Sequence, residues 1–284
     1  MLVRNAGIKN RMEKITDITE LAKKAKEIRK GIIECVYKAK SGHPGGSLSI
    51  AELMAVLYFN EMNIEENNPK WEERDRFVLS KGHCSPALYS CLAERGFFSK
   101  DLLTTLRKID SNLQGHPDMN KIPGVDMTTG SLGQGLSAAN GMAIAGKLDN
   151  RDYRVYAILG DGEIEEGQIW EAAMSASHYK LDNLCVIVDK NNLQIDGRTD
   201  EVMSSAPLDE KFKSFGFEVI TIDGNDILEI MKAFAKAKTI KNKPTCIIAK
   251  TIKGKGVSFM EDKVEWHGKA PNEEQYNLAM EELK

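Results

Sequence analysis

Positive charge is not in excess in this chain: 39 lysines and arginines stand against 42 aspartates and glutamates, a formal net charge of −3. Nucleic-acid binding leaves a basic footprint, so no nucleic-acid partner is expected. The local run Lys250, Lys253, Lys255 is too short to change that and reads as a solvated loop, or a small anion contact at best. Cysteine is sparse and unpaired in pattern: Cys35, Cys84, Cys91, Cys185 and Cys246 form no CxxC, and an odd count without a secretion signal argues against a disulfide framework. The N-terminus, MLVRNAGIKNRMEKITDITE, has no apolar core of signal-peptide type. No stretch approaches the roughly 20 apolar residues that cross a bilayer. A cytoplasmic chain with no membrane association is therefore expected. Neither GxGxxG nor GxxxxGK[ST] is matched by GSLGQG (130–135) or GDGEIEEG (160–167), which leaves a dinucleotide site or nucleotide P-loop poorly supported. Internal repeats, low-complexity tracts and Pro/Ser-rich linkers are missing as well, so residues 1–284 are read as one domain.

What the chain does contain is an alternation. Residues 19–40 read as a helix, with Leu21, Ala25, Ile28, Ile32 and Val36 at helical spacing. Gly42 and Pro44 break it, and Ser49 followed by Glu52 suggests a capping box opening a second helix. Short runs rich in Val and Ile recur at 76–80, 153–159, 184–188, 217–222 and 244–249, and the central ones barely alternate, as strands buried on both faces would. Helical stretches at 85–95, 99–108, 132–147, 167–179, 208–214 and 226–238 lie between them. The fold class expected is α/β, a mostly parallel central sheet with helices on both faces. Ligands in such sheets bind beyond the carboxyl ends of the strands. GDG after 153–159 and DKNN after 184–188 fall at those ends.

The acidic glycine turn poses a question, because Asp161, Glu163, Glu165 and Glu166 repel the anion that such turns usually hold. Asp161 and Asn191 stand on successive strand ends; with a nearby backbone carbonyl they form a hard-oxygen set suited to Mg²⁺ or Ca²⁺. Such an ion keeps open positions for phosphate oxygens and water. Asp161 then holds a cation, the cation holds a diphosphate, and Gly160 and Gly162 let backbone amides approach. The plainer alternative is an ordinary turn followed by an unrelated asparagine. Glu163 and Glu165 are read as solvated or compensating charge near a helix start; Glu166 is the better functional candidate. Four of the five histidines sit beside glycine in loops: His43 (GHPG), His83 (KGH), His116 (GHP) and His267 (WHG). Singly each reads as structural or exposed, but together they suggest a proton-handling cavity. His178, on a predicted helix, is read as structural.

GDG followed about thirty residues later by an asparagine segment resembles the thiamin diphosphate enzymes. SGHPGGSLS (41–49), DRFVLSKGH (75–83), QGHPD (114–118), TTGSLGQGL (128–136) and EWHGKAP (265–271) narrow the resemblance to the N-terminal third-to-half of transketolase, and it covers nearly the whole chain. It implies thiamin diphosphate with Mg²⁺ (Ca²⁺ or Mn²⁺ as substitutes), ligated by Asp161, Asn191 and the Leu193 carbonyl. It implies Gly162 at the diphosphate, and Gly130 and Leu132 at the aminopyrimidine. His43, His83 and His267 line the diphosphate and reacting carbonyl, and the two at the cofactor are His83 and His267. His116 bonds the donor's terminal hydroxyl, and Glu166 reaches toward the partner's catalytic glutamate. The activity implied is transfer of a two-carbon ketol unit from a ketose phosphate to an aldose phosphate, with sugar phosphates as substrates and the pentose phosphate pathway as setting. The family's pyrimidine-binding and C-terminal domains have no counterpart here, and PNEEQYNLAMEELK reads as a closing helix. The expectation is an N-terminal subunit that works only with a C-terminal partner subunit, in an α2β2 heterotetramer. Rival readings are a subunit of another thiamin diphosphate enzyme, deoxyxylulose phosphate synthase-like or 2-oxoacid dehydrogenase-like, and a non-catalytic cofactor-binding paralogue.

Overall fold

The computed structural model describes residues 13–284; residues 1–12, most of the stretch read for a signal peptide, lie outside the described residues. Helix α1 (Ile18–Ala39) starts where the Asp17 side chain accepts the Glu20 amide at 3.0 Å, and it buries Leu21, Ala25, Ile28, Ile32 and Val36. Lys40 ends it in the left-handed region. The chain turns through Ser41–Gly42 into α2 (Pro44–Leu48), whose N-terminal proline supplies a helical φ where no amide bond is missed. Helix α3 (Ala51–Val56) follows, then a wider turn of helix at Leu57–Glu61.

The sheet comprises β1 (Arg76–Leu79), β2 (Val155–Gly160), β3 (Leu184–Lys190), β4 (Glu218–Asp223) and β5 (Thr245–Lys250), in the order β1-β2-β3-β5-β4, every pair parallel. The linking helices are α4 (Ser85–Arg95), α5 (Gln134–Leu148), α6 (Gly167–His178), α7 (Thr199–Val202), α8 (Leu208–Ser214) and α9 (Ile227–Thr239), with α10 (Glu273–Glu282) last. Alternate residues of the central strands serve two separate apolar layers. Tyr156, Ile158, Cys185, Ile187 and Ile247 join the layer built on α1, α3, α4 and α9. Val155, Ala157, Leu159, Val186 and Val188 join the layer under α5, α6 and α8. Burial on both faces is why these runs are continuously apolar. The α/β class and the parallel sheet expected from the sequence are what the chain adopts.

Two local expectations fail. Ser49 and Glu52 make no capping box: α3 has no side-chain cap, the Ser49 hydroxyl donates to Asp189, and Glu52 pairs with Arg29 at 2.6 Å. Both residues have stronger partners supplied by the fold than a helix end offers. The stretch 99–108 is a short 3₁₀ helix, Lys100–Thr105, tied at its start by the Ser99 hydroxyl. The five cysteines are free and buried, and none of the described helices is long and apolar enough to cross a membrane.

Candidate functional site

At the carboxyl ends of β2 and β3 the register sets Gly160 beside Asp189, so the segments that follow, 161–162 and 191–193, emerge side by side. The Asp161 carboxylate is bonded into the second of them: Oδ2 accepts the Asn192 amide at 2.6 Å, and Oδ1 accepts Gly162 N–H at 3.1 Å. Asn191 Oδ1 accepts the Leu193 amide at 3.1 Å. The Leu193 carbonyl accepts from Lys253 Nζ at 3.0 Å. Three neutral or anionic oxygens thus gather at one strand crevice. Asp161, 3% exposed, has its carboxyl pushed up to about 7 by burial and by the neighbouring Asp189 charge, only partly countered by Asn192, Lys253 and Lys81. A carboxylate so placed gains most from a nearby cation. Among the described residues no group of three or more His, Cys, Asp or Glu forms a metal cluster; the donors here are one carboxylate, one amide and one carbonyl, the hard-oxygen chemistry of Mg²⁺ or Ca²⁺.

Above this crevice three imidazoles pack together. Ring centroids of His43 and His83 are 5.1 Å apart, of His43 and His267 5.4 Å, and of His83 and His267 5.3 Å. Burial, and then the charges of neighbouring groups, hold all three neutral: His43 falls to about 4, His83 to about 4 and His267 to about 3. His43 Nδ1 is buried without a hydrogen-bond partner among the described residues. His116 stands at the rim, exposed, its pKa lowered by burial of its ring edge and by His83 and Arg107. Gly130 lies against it: at φ +154°, a Cβ there would come within 3.1 Å of the His116 ring. Leu132 is partly exposed on the same loop, and Glu166 is exposed at the start of α6. Gly133 needs its left-handed φ of +84° to lead that loop into α5. His178 is on α6 as expected, but exposed at its last turn against Tyr179, away from the cluster.

Glu163 corrects the reading of it as solvated charge. It is buried, Oε1 accepts Gly133 N–H at 3.0 Å and the Ser80 hydroxyl, and Oε2 accepts Gly160 N–H at 3.0 Å. One carboxylate therefore ties the GDG turn to the GSLG loop and the end of β1, and burial raises its pKa. Glu165 is half-buried and accepts from Gln194 at 2.9 Å. Lys253 corrects the solvated-loop reading of its run: it is 2% exposed, its Nζ is 3.0 Å from His267 Nδ1, and burial lowers it to about 8. Lys81 and Asp189 were not singled out from sequence at all. They form a buried pair at 2.6 Å, and a charged residue closing each of two apolar strands was the available signal.

A sequence profile described as "Transketolase, thiamine diphosphate binding domain" matches residues 21–283. The chain is 49% identical to a 6-deoxy-6-sulfo-D-fructose transketolase subunit of Clostridium sp. (strain MSTE9), over 93% of this chain and 96% of that one. It is 46% identical to an apulose-4-phosphate transketolase subunit of Phocaeicola vulgatus, over 90% of each. Among solved structures it is similar to the transketolase of Campylobacter jejuni, with a TM-score of 0.89 and 36% identity; the match covers 94% of this chain and 43% of that larger protein.

Proposed function

This chain belongs to the transketolase family, matching its thiamine diphosphate-binding domain, and from that premise we propose that it is the cofactor-holding subunit of a two-chain transketolase. The reaction is transfer of a two-carbon ketol unit from a ketose or ketose phosphate to an aldose or aldose phosphate. Support comes from relatives of matching length that are themselves named transketolase subunits. The observation that carries the reading is the meeting of the Asp161, Asn191 and Leu193 oxygens with the cluster of neutral histidines.

The residues present fit the cofactor and its ion. Asp161, Asn191 and the Leu193 carbonyl hold a divalent cation, Mg²⁺ with Ca²⁺ or Mn²⁺ as substitutes, and Asp161 is the buried carboxylate in need of one. Gly162 offers its backbone to the diphosphate, with Lys253 as the adjacent cation. Gly130 and Leu132 flank the aminopyrimidine. When bound, thiamin diphosphate supplies a carbanion nucleophile and an electron sink. The chain's own side chains manage protons around it. The Lys253 ammonium donates to His267 Nδ1, so the neutral ring carries its proton on Nε2 and offers it as a donor to an oxygen gaining charge. His43, whose Nδ1 has no partner among the described residues, can accept or return a proton at the reacting carbonyl. His83 packs against both rings at the cofactor, and His116, at the rim, bonds the donor's terminal hydroxyl. Glu166, exposed beside the GSLG loop, faces the partner subunit.

That partner carries the pyrimidine-binding domain, this chain acts as a single cofactor domain, and the assembly is an α2β2 heterotetramer in the cytoplasm. The named relatives act on a sulfo-sugar and on apulose 4-phosphate, so the donor here extends beyond the pentose phosphates to ketoses of less common tail. The test is reconstitution. The chain alone is expected to show no ketol transfer in a coupled sugar-phosphate assay, and activity is expected on adding the partner. Full turnover by the isolated chain rejects the two-chain reading, and CO₂ release from pyruvate by the complex rejects ketol transfer in favour of 2-oxoacid chemistry.

A further inference from the structure

Asp189 is the next-to-last residue of β3 and is 0% exposed, on the face shared with Cys185 and Ile187. Its carboxylate gathers four donors from four segments. Oδ2 accepts from Ser49 Oγ at 2.7 Å, Lys81 Nζ at 2.6 Å and Asn191 Nδ2 at 2.8 Å; Oδ1 accepts from the Thr251 hydroxyl. Lys81 also donates to the Gly46 carbonyl at 2.7 Å. The knot therefore joins the α2–α3 junction, the end of β1 and the end of β5 to the end of β3.

A plain structural knot does not require the Asn191 contact. A side-chain amide has a donor end and an acceptor end, and it can serve a cation only with the acceptor. With Nδ2 held by Asp189, Oδ1 is turned to the opposite side, where it takes the Leu193 amide; a carbonyl oxygen has a second lone pair, and that is the one a cation would take. The Lys81 ammonium balances the Asp189 charge, so the second aspartate does not compete with Asp161 for the ion. We propose that Asp189 is a positioning residue that fixes the amide of Asn191 oxygen-outward and thereby sets the affinity of the site for its divalent cation. This rests on the metal reading of Asp161 and Asn191 given above. Groups that orient a metal ligand typically change metal affinity about 10–100-fold when removed.

The probe is Mn²⁺, titrated by electron paramagnetic resonance into the assembled enzyme with thiamin diphosphate saturating. Asp189→Asn is expected to weaken Mn²⁺ about 10–100-fold. Adding Asn191→Asp to that variant restores an amide–carboxylate pair with the roles exchanged, and presents an oxygen whichever way residue 191 turns. That double variant is expected to regain at least about tenfold, whereas Asn191→Asp alone, its carboxylate set against that of Asp189, is expected to gain nothing; an equal gain in both assigns the effect to charge and overturns the proposal. Wild-type affinity in Asp189→Asn overturns the proposal, and so does failure of the double variant to bind tighter than the single one. Asp161→Ala runs alongside: should it bind Mn²⁺ as well as wild type, the metal reading itself falls, a distinguishable result. If Asp189→Asn does not fold, Ser49→Ala with Thr251→Val keeps the charge and removes two tethers; a loss of about threefold or more is expected, and unchanged affinity overturns the proposal.

Discussion

The two ends of the sheet both carry buried charge, and one of them surrounds it with imidazoles. At the amino end, Asp75 Oδ1 accepts the Arg154 amide and Oδ2 the Asn63 amide, each at 2.7 Å. Nearby, Glu61 accepts the Tyr156 hydroxyl at 2.7 Å and Lys238 at 2.8 Å. These groups are consumed by the chain's own donors. At the carboxyl end, Asp161 is held by two backbone amides and sits at about 7, His43 Nδ1 has no partner among the described residues, and three imidazoles crowd one another in neutral form. The difference separates polar groups that hold the fold from polar groups held ready for something else. Perturbed titratable groups gather where chemistry is done, so the neutral imidazoles beside Asp161 mark the working end.

Substitutions at the two ends should therefore break different properties. Asp161→Ala should abolish metal-dependent thiamin diphosphate binding by calorimetry, a loss beyond the roughly 100-fold seen for orienting groups, while the melting temperature of the metal-free chain changes little, because the lost Asn192 and Gly162 bonds are offset by relief of the buried carboxyl. A fall in melting temperature with unchanged affinity would erase the distinction. Asp75→Asn should do the reverse, costing about 2–3 kcal/mol in denaturant unfolding because an amide cannot accept two backbone N–H bonds as a carboxylate does; cofactor affinity should stay within twofold or so. Smallest, and sharpest as a signature, is pH. Cation and proton compete for the Asp161 carboxylate, whose pKa lies at about 7, so metal affinity should fall about tenfold for each unit below that value and level off above it. A flat profile between pH 5 and roughly 7 would show that Asp161 is not where the ion binds.

Much of this comparison is legible in the sequence. Continuous Val/Ile runs place β2, β3 and β5, because burial on both faces leaves no room for alternation, and the loop glycines beside histidines mark the cluster. The misses share one cause. Glu163 looks solvated next to a helix start, but Ser80 and Gly133, distant in sequence, close over it. Ser49 and Glu52 have the spacing of a cap, yet Asp189 and Arg29 claim them. Lys253 looks like one of a surface run until the fold turns it inward against Leu193 and His267. Local pattern reports what a residue can do with its neighbours in sequence; charged groups answer to neighbours in space.

The pieces of the crevice come from segments spread between His43 and His267, on both sides of the sheet's centre, with no two of the three clustered rings on the same stretch of chain. A half-made version of such a place has no foothold for a ligand, since β1, β2, β3 and β5 must all have docked before the donors face one another. The vitamin-derived cofactor thus acts as an inspector of finished molecules, and its grip returns to the chain as resistance to unravelling: about 2.7 kcal/mol when it is present at a hundred times its dissociation constant.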